Sequence, residues 1–275
     1  MGENVYLPKI AEIIEIIDEI GGTRAIKTFR VKMYNAEDDF TYQCGQCAML
    51  SVFGKGEAMI SISSSPLTKD YVQFSVMKSG RVSLALFALE VGDYVGIRAP
   101  LGNGFPVEEW EGKNLLIIGG GIGIAPVWSI VHTALGKREA YGDISLYYGA
   151  RSSDGFIYKD DLEKLKGQIS MNLSIDAAEE GWDGYVGFVP SNLLDKKPSP
   201  ENTIAITCGP PVMIKFVIQN LSVLGFSDEQ IYTTLENKMK CGIGKCGRCN
   251  IGQHYACTIG PVFSWAELKQ LPQEY

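Results

Sequence analysis

Asn114-Leu-Leu-Ile-Ile-Gly-Gly-Gly-Ile-Gly-Ile-Ala-Pro126 decides the fold. Leu115 to Ile118 form an unbroken apolar run, as in a strand buried on both faces beneath helices. The glycines Gly119, Gly120, Gly121 and Gly123 then turn the chain into an apolar segment of helical texture. Pro126 falls in its first turn, where a missing amide costs little. Such a turn presents backbone amides and a helix N-terminus to a pyrophosphate. It departs from the Rossmann fingerprint, which would need glycine at 124, where isoleucine stands, and an acidic residue closing the next strand. Glycines also serve simply to permit a tight strand-to-helix turn, so one such turn alone does not settle a ligand.

Toward the C-terminus the same texture recurs. Apolar strands are expected at Ile144 to Tyr148, Met171 to Ile175 and Thr203 to Thr207, most followed by helical periodicity, which implies a parallel, helix-covered sheet. After the last of them comes a second special turn, Cys208-Gly209-Pro210-Pro211. Two such turns at the carboxyl ends of parallel strands place ligand contacts on one rim of the sheet, with Gly209 and Pro210 among the candidate contacts. Residues 101–235 therefore read as an α/β nucleotide-binding domain. Upstream of Pro100 the strands are short and separated by Gly, Pro and Ser turns: Ala48 to Phe53, Met59 to Ile62, Tyr71 to Met77 and Asp93 to Ala99. In Thr28 to Met33, apolar Phe29, Val31 and Met33 alternate with Thr28, Arg30 and Lys32, as in a half-buried strand. The alternation does not extend back to Ile26 and Lys27. From Pro8 to Ile20 the isoleucines fit helix and strand equally. Residues 1–100 read as a small antiparallel β-barrel.

A third region, 236–275, opens with Cys241-Gly-Ile-Gly-Lys-Cys246-Gly-Arg-Cys249 and reaches a fourth cysteine at Cys257. The spacing C-x4-C-x2-C with a distal cysteine is that of plant-type [2Fe-2S] ferredoxins, although here the fourth ligand lies unusually close. Four thiolates must converge on two irons, and the glycines let backbone amides approach the sulfurs. The rival is a four-cysteine zinc site, which would call for paired C-x2-C knuckles where only Cys246 and Cys249 make such a pair. His254 reads as a bystander, since a Rieske centre needs two histidines on one iron.

The chain has 275 residues, 45% of them hydrophobic, enough for more than one core. A net charge of −7 with no basic stripe argues against nucleic acid as a partner. Seven cysteines, four crowded near one end, suit thiolate ligands in a reducing compartment better than disulfides. No basic-then-apolar leader opens the sequence, and no run approaches the ~20 apolar residues of a membrane helix. A cytoplasmic protein without a transmembrane segment is expected.

The order of these signals resembles the ferredoxin-NADP reductase superfamily: a barrel, then GGGIGIAP (119–126), YGAR (148–151) and CGPPVM (208–213). Within it, LENKMKCGIGKCGRC (235–249) resembles the iron-sulfur subunits of dihydroorotate dehydrogenase B, of sulfhydrogenases (the gamma subunit) and of anaerobic sulfite reductases. The resemblance implies FAD on the barrel, held by a motif of Arg, an aromatic and Ser or Thr. The matching segment, Ala58-Met59-Ile60-Ser61-Ile62-Ser63, keeps Ser61 but lacks the arginine and the aromatic, so the phosphate charge must be met elsewhere. Gly80-Arg81-Val82-Ser83 matches the second flavin motif, with Arg81 a candidate for the missing charge or an ordinary surface arginine. Gly121, Gly123 and Pro126 would receive NAD(H) or NADP(H), and Cys208 would sit beside the nicotinamide, unless it is a small buried side chain. Glu236 matches a carboxylate that approaches the flavin in relatives; the alternative is a solvated side chain. Arg151 could pair with a 2′-phosphate, whereas Asp176 stands where NADPH-specific relatives carry Ser-Arg and would repel it, favouring NADH. Cys44-Gly-Gln-Cys47 replaces the usual Pro-Gly-Gln-Phe. The pair is expected to be two buried small side chains, with a redox disulfide or a shared-cluster ligand as rivals.

The function so implied is electron transfer between NAD(P)H and a partner redox protein through FAD and a [2Fe-2S] cluster. The expected partner is a hydrogenase, sulfite reductase, dihydroorotate dehydrogenase or flavin-bifurcating complex. A self-contained reductase acting on ferredoxin and a non-enzymatic, zinc-stapled nucleotide-binding module are the alternatives.

Overall fold

A computed structural model describes residues 4–235 and 238–272. Two compact units emerge: Met1–Phe105 with Leu235–Val262, and Pro106–Thr234 with Phe263–Tyr275.

The first unit is built on β1 (Lys9–Ile20), β2 (Ile26–Met33), β3 (Cys47–Val52), β4 (Gly56–Ser61), β5 (Val72–Met77), the helix α1 (Arg81–Phe87) and β6 (Tyr94–Leu101). The strands form an antiparallel sheet in the order β4-β3-β6-β1-β2-β5. An antiparallel bridge between Ile62 and Phe74 joins its two edges, so the sheet closes on itself as a barrel, as expected. Ile13, Phe29, Leu50, Phe74 and Ile97 fill the interior, none more than 2% exposed. Each such side chain contributes about 1.5–3 kcal/mol of burial. The segment from Pro8 to Ile20, undecided from its isoleucines, is the long strand β1. Its register against β2 slips between Ile13 and Glu15 and again between Asp18 and Ile20, which breaks the alternation the eye looks for. β2 starts at Ile26 rather than Thr28. Thr28 is buried, accepted at 2.7 Å by Glu19 and hydrogen-bonded at 2.7 Å to Ser75, so both faces of this strand are covered there.

The second unit contains β7 (Asn114–Gly120), α2 (Ile124–Gly136), β8 (Ile144–Ala150), α3 (Lys159–Leu165), β9 (Ser170–Ile175), β10 (Tyr185–Val186), α4 (Val189–Lys196), β11 (Thr203–Cys208), α5 (Pro211–Val223) and β12 (Ile231–Thr234). β7 lies between β8 and β11, and the pairings from β10 through β12 are all parallel. Leu115 to Gly120 are buried without interruption, the two-sided covering read from the apolar run. Leu116 and Ile118 pack with Leu193 of α4 and with Val217 and Leu221 of α5.

The cysteine segment, part of the first unit, adds the hairpin β13 (Asn250–Ile251) and β14 (His254–Tyr255) and the single turn α6 (Ala256–Ile259). The chain then runs through β15 (Val262–Ser264), which edges the parallel sheet, into α7 (Trp265–Leu268). No helix among the described residues is long and apolar enough to cross a membrane.

Candidate functional site

In the α/β unit the two special turns meet. β7 and β11 run in register with Cys208 opposite Gly119, so both chains leave the sheet at the same rim. A β-carbon on Gly123 would lie 2.4 Å from the α-carbon of Gly209, and one on Gly120 2.4 Å from the Met213 sulfur. Glycine is required here because at Gly123 two backbones share one space and at Gly120 the Met213 side chain fills the place of a β-carbon, and the result is a ledge of backbone. Pro210 caps α5 and Pro126 lies in the first turn of α2. Cys208 is 5% exposed, its sulfur 3.0 Å from the Thr234 hydroxyl. Arg151 and Asp176 follow the ends of adjacent strands β8 and β9, and both are exposed.

Tyr148 has a role that motif reading alone did not assign. Its hydroxyl accepts from the Ile157 amide at 3.1 Å and donates to the Gly121 carbonyl at 3.2 Å, pinning the glycine turn from below. Tyr148→Phe is expected to cost about 1 kcal/mol of stability. It should also weaken nicotinamide-dinucleotide binding roughly fivefold, read by titration against tryptophan emission. An unchanged affinity would show that the turn holds its shape without the hydroxyl.

The cysteine loop is shaped by backbone. Gly242, Gly244 and Gly247 all adopt left-handed conformations, curling the loop so that amides face sulfur. The Lys245 and Cys246 amides donate to the Cys241 sulfur at 3.3 and 3.4 Å, and the Gly244 amide donates to the Cys257 sulfur at 3.2 Å. Burial pushes the Cys241 thiol up, but amides from Ile243, Cys246 and Lys245 outweigh it and lower its pKa to about 7. Burial, and then the neighbouring Cys249, raise Cys257 to about 11. The hairpin returns the chain so that the Ala256 amide donates to the Cys249 carbonyl at 2.9 Å, placing Cys257 beside Cys249. Cys246 thus neighbours Cys241, and both Cys249 and Cys241 lie within electrostatic reach of Cys257. Among the described residues no three His, Cys, Asp or Glu side chains converge on a single ion. Four thiols drawn from one glycine-rich loop and the hairpin that follows it suit an iron-sulfur cluster. Cys246 is the exposed member of the set. His254 is exposed on β14.

Barrel and loop are tied by Arg98 of β6, whose side chain is 6% exposed. One guanidinium nitrogen donates to both Glu57 oxygens at 3.0 and 3.2 Å, and the other donates to the Cys241 carbonyl at 3.2 Å. Farther along, Asn103 donates to the Val262 carbonyl at 2.8 Å and accepts from the Val262 amide at 2.9 Å. The Leu235 amide donates to the Pro261 carbonyl at 2.8 Å.

Between barrel and loop lies a cavity of about 420 Å³, within the usual range of small-molecule sites. Its wall contains Cys47 of β3, Ala58, Met59 and Ser61 of β4, and Lys238, Met239, Lys240 and Arg248 of the cysteine segment. Ser61 pairs with Cys47 in register, their side chains 3.7 Å apart, and both face this space. The neighbouring residues of the first flavin segment turn elsewhere. Ile62 is in the barrel core, and Ser63 exchanges hydrogen bonds with Gln73 at 3.1 and 3.3 Å. In the second segment Ser83 caps α1, accepting the Ser79 and Gly80 amides at 2.9 and 2.8 Å. Arg81 is exposed, its guanidinium and the neighbouring Val82 side chain lying over Gly56, outside the cavity wall. Cys44 and Cys47 are both buried, as expected. Glu236 lies outside the described residues.

Comparison with known proteins gives two family matches. Residues 117–219 match the oxidoreductase NAD-binding domain, and residues 236–269 match the iron-sulfur cluster binding domain of dihydroorotate dehydrogenase B. The gamma subunit of sulfhydrogenase 1 from Pyrococcus furiosus is 37% identical over 98% of this chain and 95% of its own length. A probable electron transfer subunit of dihydroorotate dehydrogenase B (NAD(+)) from the same organism is 32% identical over 86% of each chain. Among solved structures, one from a study of flavin-based electron bifurcation by the NADH-dependent reduced ferredoxin-NADP oxidoreductase superposes with a TM-score of 0.72. It covers all of this chain and 95% of that one at 24% identity. A ferredoxin NADP+ reductase from Neisseria gonorrhoeae, solved with FAD and NADP, gives 0.68 over 82% of this chain and 96% of its own at 22% identity.

Proposed function

The chain belongs to the ferredoxin-NADP reductase superfamily, in the branch of the sulfhydrogenase gamma and dihydroorotate dehydrogenase B electron-transfer subunits, and from that membership we propose that it passes electrons between NAD(P)H and a partner redox subunit through FAD and a [2Fe-2S] cluster. One observation carries the proposal: Lys240, the neighbour of ligand Cys241, and Ser61 line the same cavity, so the flavin and cluster positions share a wall.

When bound, FAD exchanges an electron pair with the nicotinamide and single electrons with the cluster. The chain's own residues position these groups and shield them. Residues 101–235 hold the dinucleotide, with Gly119 to Gly121, Gly123 and Gly209 forming the ledge for its pyrophosphate, and Pro126 and Pro210 setting the helix starts. Cys208 lies at the end of β11 for the nicotinamide, with its thiol held by Thr234. Residues 1–100 supply the flavin wall through Ser61, and Ile62 and Ser63 anchor that strand end to the core. Gly80 to Ser83 border β4, where Arg81 approaches Gly56. Residues 236–275 carry the cluster on Cys241, Cys246, Cys249 and Cys257. The spacing C-x4-C-x2-C supports the two-iron form, and amide donation to sulfur tunes such a centre's potential. Exposed Cys246 gives the partner its approach. We place the protein in the cytoplasm, as a subunit of a hydrogenase-like or dehydrogenase complex, because the relatives that align over nearly their whole length are subunits.

An anaerobic visible spectrum of the purified chain, with iron, zinc and flavin measured on the same sample, tests this. Flavin bands on a broad iron-sulfur background that bleach with NADH are expected; a colourless zinc protein would sink the proposal. Asp176 is assigned to the adenosine ribose, which makes NADH the preferred donor. Asp176→Ser should shift the ratio of kcat/KM values toward NADPH by about tenfold, since a carboxylate facing a phosphate is removed. An unaltered ratio would place the ribose elsewhere.

A further inference from the structure

We infer that Lys238, Lys240 and Arg248 bind the phosphate groups of the flavin dinucleotide, so that the cluster-bearing segment, and not the barrel alone, retains the flavin. The inference rests on the assignment of this cavity to FAD and concerns which residues hold its charge.

The wall has a divided character. Ala58, Met59, Met239 and Cys47 make it apolar on one side, and three cations enter from the other. Among the described residues no carboxylate belongs to the lining. The nearest acidic residue along β4, Glu57, is already clamped by Arg98 through both its oxygens. None of the three cations forms an ion pair with a described residue. The sequence contains no Asp or Glu between Lys238 and Ala266, although the chain as a whole carries a net charge of −7. A concave surface with three positive charges that have no ion partner among the described residues, on an acidic protein, is suited to a ligand that joins an apolar body to several negative charges, which describes a flavin nucleotide. Strand β4 contributes no charge of its own to the cavity, since Ala58 ends in a methyl group and Met59 in a thioether. Arg81, the barrel's candidate for this task, lies over Gly56 instead. The cations must therefore come from the cysteine segment, which Arg98 holds against the barrel through the Cys241 carbonyl.

The test is binding of FAD and of riboflavin, which has the ring without phosphates, to the full chain with its iron in place, followed by flavin fluorescence. In the Lys238→Gln, Lys240→Gln, Arg248→Gln triple variant, FAD affinity should fall about 100-fold and riboflavin affinity change less than about twofold. Iron content reports whether the segment is still folded. Should the triple variant lose iron, the three single variants replace it, each expected to weaken FAD about threefold to tenfold at unchanged iron. Adding Ala58→Arg to the iron-replete variant should restore about tenfold of the lost FAD affinity by returning a cation from the facing strand. Undiminished FAD affinity, or an equal loss for riboflavin, would overturn the inference while leaving the flavin assignment standing. A wild-type chain that binds neither FAD nor riboflavin would sink that assignment, and this inference with it.

Discussion

Cys257→Ser should leave a protein with little or no iron and a cluster-dependent acceptor rate lower by at least about 100-fold, the upper end of what disturbing even a supporting group of a metal site costs. Cys257 is 3% exposed at the start of α6 and receives the Gly244 amide. A serine hydroxyl there is a poor ligand, because it holds its proton at neutral pH and is a hard donor for a centre built on soft thiolates. It would also leave three thiolates in place of four. Nicotinamide-dinucleotide binding should be unchanged, since the glycine ledge belongs to the other compact unit. Cys208→Ser is the control: it removes a thiol of similar burial that faces Thr234 rather than a sulfur, and it should keep its iron. Full iron and an unaltered visible spectrum in Cys257→Ser would remove this residue from the ligand set.

Arg98→Met should destabilise the barrel unit by about 2–3 kcal/mol and loosen the cluster. The guanidinium is nearly buried and satisfies four acceptors at once, the two Glu57 oxygens and the carbonyls of Cys241 and Val5. Methionine fills much of the volume but leaves the Cys241 carbonyl without a donor and the Glu57 carboxylate without its partner. Arg98→Lys should fall between, because a single ammonium cannot reproduce the planar fork. The distribution of chromophores makes the measurement clean. All four tryptophans, Trp110, Trp128, Trp182 and Trp265, belong to the α/β unit, so their emission reports that unit, and cluster absorbance reports the other. The urea midpoint followed by cluster absorbance should drop while that followed by tryptophan emission stays. Coincident, unshifted midpoints would mean that Arg98 is not the tie. A second substitution, Glu57→Gln, should add less in the Arg98→Met background than alone, as expected for groups in direct contact.

The α/β unit was legible because its strands are continuous apolar runs closed by glycine or proline turns, a pattern that survives any detail of packing. Strands β10, β12 and β15 left no such mark. They are two to four residues long, too short to carry a period, and are stabilised by neighbours already in place. β1 was hidden for another reason: isoleucines stand on both of its faces, with Ile10 and Ile14 exposed and Ile13 buried, and its register slips after Ile13, so no single period fits. Thr28 looked outward by polarity, yet it is buried because Glu19 and Ser75 satisfy its hydroxyl. The four cysteines proposed as ligands stood out from their spacing alone, since a cluster constrains positions along the chain. The cavity was not, because Ala58 and Arg248 are brought to one wall only by the folding of the loop onto the barrel. Loss of the arginine and aromatic in the 58–63 segment is what pointed to other parts of the chain for a flavin's charge partner.

The first compact unit is discontinuous: its early part ends at Phe105, and its remainder arrives only with Leu235–Val262. A ribosome therefore releases the barrel, then the whole of residues 106–234, before the second wall of the cavity exists. At about 5–20 residues per second the barrel waits several seconds with one side of its flavin site unmade. On the assignments proposed above, flavin and iron would load only once this last stretch has emerged, because Lys238 to Arg248 and the four cysteines are all made there.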